Sequence, residues 1–456
     1  MNLINTLTTR LPLHAALATA VLAATLSAPA QARTQTSAQA PLQESSAAYR
    51  PGECGTFTVA MIPDTQNYMD FTRQKSEGFP IDAVELYYEQ MRFIGDNARS
   101  NGGDIVFATH VGDIWQHYSE WMDPEHEARG FKWIPNPAGS SVARQPYPEV
   151  RGFEIPSAAK GFQLIAGKLP FSVVPGNHDY DALWTDPAFP PQPGSETRVA
   201  GLRHLGGLTG FLSAFSADSE FFNNQPWYIS AHEGGTDSAQ LFTAGECTFL
   251  HIGLQYDAPD ASLAWARRVV TQHPGVPTIV TIHKYLNRAG ERAVGGSTDL
   301  SILDRLDNNP QMVWDDFISQ HDQIFLVLSG HISGQGYSVD RNDVGNQVHQ
   351  MLADYQSRSR VGELADPEGS YHRRPVTGDG WLRLLEFDLD GATPRIHART
   401  YSTHFDKYST QIPEYASWYK RYEGHADTPD AEFAKRDDYV IELVDFRQRF
   451  APATGE

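Results

Sequence analysis

Residues 170–179 read PFSVVPGNHD, an apolar run that meets Pro175-Gly176 and then three polar residues, Asn177, His178 and Asp179. The run over 170–174 has the length and β-branched content of a buried strand, and Pro-Gly ends it. The same syntax recurs outward in both directions. A strand over 56–62 stops at Pro63-Asp64, with Gln66 just beyond, and a strand over 104–110 runs into Gly112-Asp113. Towards the C-terminus, a strand over 278–282 is followed at once by His283, and one over 324–328 by Gly330-His331. Helical patterns separate them. Asp82 reads as an N-cap with Glu85 three residues on, and Val84, Tyr87, Tyr88 and Met91 share one helical face until Gly102-Gly103. Further helices are expected over 160–166, 262–271 and 312–320, and further strands over 248–254, 348–352, 382–387, 395–400 and 439–446.

This rhythm predicts an α/β fold of two packed mixed β-sheets flanked by helices. In such sheets ligands bind at the carboxyl ends of strands, so residues far apart in sequence converge there. A lone Asp or His after a strand is ordinarily a turn or surface residue. The repetition of that placement along one chain makes a shared site the better reading.

The chain has 456 residues and a formal net charge of −20. That charge argues against an extended, sequence-independent grip on nucleic acid, which needs Lys and Arg along the backbone track. An anionic substrate would have to be attracted locally, and bound divalent cations can do that. At the N-terminus, Arg10 precedes an apolar run over 11–26, and Ala30-Gln31-Ala32 offers small residues for cleavage. This reads as a signal peptide over 1–32 ahead of a flexible leader over 33–53. The expectation is a periplasmic or secreted protein with no transmembrane segment in the mature chain. In an oxidising compartment Cys54 and Cys247 can form one bridge, the reading preferred over two separate buried thiols. Two cysteines cannot build a thiolate zinc cluster, so a metal here would rest on His, Asp, Asn or Gln.

The strand-end motifs resemble those of the calcineurin-like metallophosphoesterase family: D-x-H, G-D, G-N-H-D/E, a lone His after a strand, and G-H-x-H. Here they stand as Asp64-Thr65-Gln66, Gly112-Asp113, Gly176-Asn177-His178-Asp179, His283, and Gly330-His331-Ile332-Ser333. The resemblance implies a four-layer α/β/β/α sandwich over 54–405, with a loop insertion over 180–243 and a C-terminal extension over 406–456 whose strand packs on the core. It implies a hydrolase of phosphate esters, more a phosphodiesterase than a phosphomonoesterase, acting on a small-molecule ester with metal-activated water. The alternative is a non-catalytic binding protein that keeps the fold. Two divalent ions are implied. Asp113 would bridge them, Asn177, His283 and His331 would complete a site for Mn, Fe or Zn, and Asp64 and Gln66 would belong to the other. His178 would stand near the leaving oxygen, oriented by Asp179.

Two departures fall on the same ion. The family's imidazoles are replaced by Gln66 and Ser333, which are harder, weaker ligands and favour Mn, Ca or Mg. The competing reading has Gln66 bonding a strand end while a single metal works alone. Other residues are weaker candidates: His110 as a substrate contact or core histidine, Tyr68, His117, Tyr355, Arg358 and Arg360 as pocket lining, and Arg373, Arg374 and His404 without a role. The aromatics of 180–243, Trp184, Phe211, Phe215, Phe221, Phe222, Trp227 and Tyr228, read either as core or as a surface for a base, lipid or sugar.

Overall fold

The computed structural model describes residues 48–132, 146–184, 204–295, 299–302 and 307–452. The signal-peptide reading lies outside these residues, as does most of the leader. Order begins ahead of Cys54. Tyr49, assigned by the sequence to the leader, is fully buried, and its hydroxyl donates to the Leu389 carbonyl at 3.0 Å.

In chain order, the first strands are β1 (Thr56–Ile62), β2 (Ile105–His110) and β3 (Phe171–Val173). A separate pair follows, β4 (Ala182–Trp184) and β5 (His204–Gly206). Next come β6 (Tyr228–His232), β7 (Asp237–Ala244), β8 (Cys247–Leu254), β9 (Thr278–Ile282), β10 (Ile324–Ser329), β11 (Gly334–Arg341) and β12 (Gln347–Asp354). The last are β13 (Trp381–Asp388), β14 (Arg395–Ser402), β15 (Lys407–Tyr408) and β16 (Asp438–Glu442). Among the described residues, one seven-stranded sheet runs β15-β14-β13-β1-β2-β3 with β16 on β14, and a second runs β11-β12-β10-β9-β8-β7-β6. Both are mixed: β1, β2 and β3 are parallel while β13 is antiparallel to β1, and β8, β9, β10 and β12 are parallel while β7 and β11 are antiparallel.

The period-2 alternation of the central strands gives each sheet two apolar faces. Phe57, Val59 and Met61 of β1 face the second sheet, where they join Phe249, Ile279 and Leu328 in one core. Phe57 meets Phe249 at 5.3 Å between ring centroids, and Phe107 stacks on Phe242 at 4.5 Å. Ala60 and Ile62 point the other way, against the helices Val84–Asp96 and Ile155–Gln163. Val280 and Ile282 of β9 pack on the helix Asp260–Gln272. The result is the expected helix, sheet, sheet, helix layering.

The 180–243 stretch is less irregular than its composition suggests. It contains β6 and nearly all of β7, two strands of the second sheet, and the helix Thr209–Phe215. Its aromatics Phe211, Phe215, Phe221 and Phe222 are core residues under the first sheet. Residues 185–203 lie outside the described ones. The C-terminal strand is also shorter than expected, since β16 stops at Glu442 and Phe446 opens the short helix Phe446–Phe450, which packs on Tyr49 and Phe325.

Cys54 and Cys247 form a disulfide with Cα atoms 5.1 Å apart. Cys54 lies just before β1 and Cys247 opens β8, so the bond joins the two sheets at the end of the sandwich opposite the carboxyl ends of the parallel strands. It closes a loop of 193 residues, for which a chain-entropy model gives about 5 kcal/mol as an upper value. Cys54→Ala is expected to lower the thermal midpoint by several degrees, by the same amount as mild reduction of the parent protein. An unchanged midpoint in both would show that the bond contributes nothing to stability.

Candidate functional site

The carboxyl ends of β1, β2, β3, β9, β10 and β12 carry Asp64, Asp113, Asn177, His283, His331 and Asp354. The turns that deliver them are tight. Asp113 and His331 both take left-handed backbone conformations, with φ of 53° and 71°, a geometry that costs a non-glycine residue roughly 1–2 kcal/mol. Surrounding bonds hold it. Asp113 accepts the His178 N–H at 2.8 Å on Oδ1, and its carbonyl accepts the Thr65 N–H at 3.0 Å. The His331 N–H donates to Asp64 Oδ2 at 3.0 Å. The glycines of two motifs have a steric reason. A Cβ on Gly176 would lie 2.2 Å from the Asp113 nitrogen, and one on Gly330 would lie 2.1 Å from Asp64 Oδ1.

His283 Nδ1 is 2.9 Å from the Val111 carbonyl oxygen, to which it donates, so in the neutral ring Nε2 carries the lone pair. That nitrogen lies 3.2 Å from Asp113 Oδ1, 3.3 Å from Asn177 Oδ1 and 3.2 Å from His331 Nδ1. Donor atoms bound at about 2.0–2.2 Å to one cation are about this far from each other. Asp113, His283 and His331 all offer ligand atoms within 4.8 Å of one another. Acceptors crowded around one lone pair repel, and a cation at their centre reverses the sign. The donor set therefore fits a divalent metal.

A second donor group stands on the other oxygen of Asp113. Gln66 Nε2 donates to Asp113 Oδ2 at 3.2 Å and also to Gln356 Oε1. Gln66 is 2% exposed, and its Oε1 has no hydrogen-bond partner among the described residues. Asp64 and Asp354 are buried beside it. Burial pushes the Asp64 carboxyl well above the ordinary carboxylate range, and the charges of Asp354 and Asp113 add to it. Burial also pushes Asp354 up to about 6, against the two hydrogen bonds it accepts from Gln356. Burial would raise Asp113 too, but the imidazoles of His283 and His178 hold it below its ordinary value. Burial drives His331 well below the imidazole range, with His283 adding to the effect. With every carboxylate ionised, the cluster calls for positive charge that its histidines supply only in part.

His178 has a different orienting partner from the expected Asp179. Its Nδ1 lies 2.7 Å from the Gln116 carbonyl oxygen, and its ring stacks 5.8 Å from Tyr118. Asp179 instead accepts the N–H groups of Gly176 at 2.7 Å, Ile114 at 2.8 Å and Trp115 at 3.3 Å. A fully buried carboxylate serves where backbone donors converge, so Asp179 shapes the loops and the Gln116 carbonyl orients the ring. Burial and then the charge of Asp113 push the Asp179 carboxyl up to about 8. Ser333 Oγ pairs with Ser357 Oγ at 2.7 Å.

The weaker candidates are structural. His110 is fully buried, accepts the Gly112 N–H on Nδ1 and donates from Nε2 to Thr65 Oγ1. Tyr68 is buried under Gly380, whose N–H it accepts. Tyr355 and Arg358 belong to a buried network with Glu423, Asp437 and Arg383. That network rules out Arg358 as an open phosphate clamp. Arg360 lies over the Trp418 ring, Arg374 pairs with Glu363, and His404 contacts Glu89. His117 pairs with Glu154 at 2.7 Å. Among the described residues, two other groups bring carboxylates and a histidine together, Asp70 with His117 and Glu154, and Asp123 with Glu125 and His126. In both, carboxylate oxygens already serve backbone donors as a helix cap or loop tie.

Asp354 and Gln356 were not singled out from sequence. The strand before them was expected to end at residue 352, whereas β12 runs to Asp354. With that boundary, the strand-end reading that found the other residues would have found this one.

The molecule is thus an α/β sandwich with a metal-capable cluster at the carboxyl ends of its strands. No family model matches the chain. The uncharacterized protein YvnB of Bacillus subtilis (strain 168) is 27% identical over 357 residues, covering 76% of this chain and 20% of that protein. The chain therefore spans about a fifth of the length of this relative.

Asp113→Asn removes the charge shared by both donor groups while keeping its shape. The variant is expected to fold with an unchanged circular dichroism spectrum and to lose the bound divalent metal measured by elemental analysis of purified protein. Metal content equal to the parent's would contradict the role of Asp113.

Proposed function

We propose that this chain is an exported, metal-dependent hydrolase of phosphate esters, with phosphodiesters of small molecules as the favoured substrate class. One observation carries the reading: the two oxygens of Asp113 face two separate donor groups, Oδ1 towards His283 Nε2 at 3.2 Å and Oδ2 towards the Gln66 amide at 3.2 Å. In this reading Asp113, Asn177, His283 and His331 hold one ion, a mixed nitrogen and oxygen set that suits Mn, Fe or Zn. Asp64, Gln66 and Asp113 hold the second, for which Mn, Ca or Mg is favoured. Two such ions, when bound, polarise a phosphoryl oxygen and lower the pKa of water enough to supply hydroxide near neutral pH.

His178 is the candidate general acid. The carbonyl of Gln116 at its Nδ1 stabilises the imidazolium and fixes the ring, and in this reading Nε2–H is the proton donor to the departing alkoxide. The His178 N–H bond to Asp113 Oδ1 ties this ring to the metal-binding turn. The disulfide supports export, since such bonds persist in oxidising compartments. Among the described residues no helix is long and apolar enough to cross a membrane. The net charge of −20 supports a small substrate over extended nucleic acid.

The direct test is turnover of a chromogenic phosphate diester and the matching monoester, with and without added Mn²⁺. Hydrolysis of neither would favour a non-catalytic binding protein. His178→Ala is expected to keep its metals and lose turnover by about 10²–10⁴-fold for esters with poor leaving groups. Esters with good leaving groups, which need little protonation, should lose far less. Equal losses across a leaving-group series, or loss of metal, would contradict the assignment.

A further inference from the structure

One short segment, Asp354-Tyr355-Gln356-Ser357, faces both positions at which the metal-binding pattern lacks an imidazole. Gln66 donates to Gln356 Oε1, and Ser333 Oγ lies 2.7 Å from Ser357 Oγ. The neighbouring Asn67 amide donates to the Gln356 carbonyl. The orientation of Gln356 is fixed. Its backbone N–H donates to Asp354 Oδ1 at 2.9 Å, and its side-chain Nε2 donates to Asp354 Oδ2 at 2.9 Å. Turning the amide over would set its oxygen against a carboxylate, so Oε1 is held towards Gln66.

The same spot holds a mismatch. A single amide nitrogen, Gln66 Nε2, sits between Asp113 Oδ2 and Gln356 Oε1, while Gln66 Oε1 is buried without a partner among the described residues. A buried carbonyl left unpaired calls for a donor or a cation. If a cation takes the place of the amide nitrogen between those two oxygens, the Gln66 amide is free to turn and present Oε1 to it. Ser333 Oγ is paired with Ser357 Oγ at 2.7 Å and is left out of the proposed ligand set.

We propose that Gln356 Oε1 is a ligand of the second ion, in an all-oxygen site with Asp64, Asp113 and Gln66, and that Asp354 is the positioning residue that holds Gln356 in place. The inference rests on the metal-dependent reading above and deepens it. A carboxylate and carbonyl set of this kind selects a hard cation such as Mn²⁺ or Mg²⁺ over Zn²⁺. The site with His283 and His331 keeps its preference for a softer ion.

The test is calorimetric titration of the metal-stripped full chain with Mn²⁺, with bound ions counted afterwards by elemental analysis. The parent is expected to take up two ions of unequal affinity. Gln356→Leu should weaken only the looser ion, by at least tenfold, and Gln356→Glu, which restores an oxygen, should recover it. Asp354→Asn should weaken the same ion by about 10–100-fold, as expected when the partner that orients a ligand is lost. Two ions bound by Gln356→Leu with parental affinities would overturn the inference and leave the hydrolase reading standing. A parent that takes up one ion would overturn the inference together with the second ion of the reading above, and leave a single-metal hydrolase standing. A parent that takes up none would overturn the metal-dependent reading itself. A Gln356→Glu variant as weak as Gln356→Leu would also count against the ligand role.

Discussion

Four carboxylates, those of Asp64, Asp113, Asp179 and Asp354, are at most 2% exposed and gather at one end of the sandwich. Ionised groups taken out of water must be met by N–H donors or by cations. Much of the surrounding backbone does this work. Asp179 gathers three N–H groups from two loops, Asp113 takes that of His178, Asp64 that of His331, and Asp354 that of Gln356. One of these ties crosses between the sheets, since Asp64 follows β1 and His331 follows β10, and a further bond does the same, from His283 after β9 to the Val111 carbonyl after β2. The register of one sheet against the other is thereby set where the donor atoms converge. The left-handed turns at Asp113 and His331 persist because these bonds over-determine them.

Much of the architecture was legible because its central strands are dense in β-branched and aromatic residues and end in Gly, Pro or a polar ligand type. The strands over 56–62 and 278–282 are recovered without a shift, and that over 324–328 to within a residue. Strands β6, β7 and β11 were missed for a physical reason. In β7 the sequence DSAQLFTA buries Asp237, Ser238 and Gln240 as well as its apolar residues, so neither alternation nor an apolar run marks it. β11, GQGYSVDR, is an edge strand with a half-solvated pattern. The long helix expected over 312–320 is a short turn of α-helix followed by a wider π turn, which periodicity alone does not distinguish.

Site residues divide in the same way. Residues directly after recognisable strands were found, because strand ends of a parallel sheet have few alternatives. Roles that depend on which atom meets which were not legible. Asp179 beside His178 suggests an orienting pair, yet its oxygens are taken by three backbone donors. Arg358, a plausible phosphate clamp by type, is 1% exposed and bonded to Glu423 and Asp437. Those partners lie 65 and 79 residues further on, where no local pattern points to them.

That network connects the C-terminal extension to the site. Asp437 precedes β16, which pairs with β14, and its carboxylate receives Arg383, Arg358, Tyr355 and Tyr415. Replacing a buried network of this kind with apolar side chains is often neutral for stability, whereas removing one partner costs about 3–5 kcal/mol. Its importance here lies in what it holds. Where β12 ends, Gln356 turns towards Asp354 and Gln66, while Tyr355 and Arg358 enter the network. Gln356 lies in a turn closed by the Arg358 N–H on the Tyr355 carbonyl at 3.1 Å, so anchoring Tyr355 and Arg358 also fixes the backbone that carries Gln356. The Gln356 amide, which faces Gln66, is therefore set from two sides, by Asp354 through its own nitrogen and by the C-terminal residues through its neighbour. A site gathered from strand ends in the first 331 residues thus takes part of its precision from residues beyond 420.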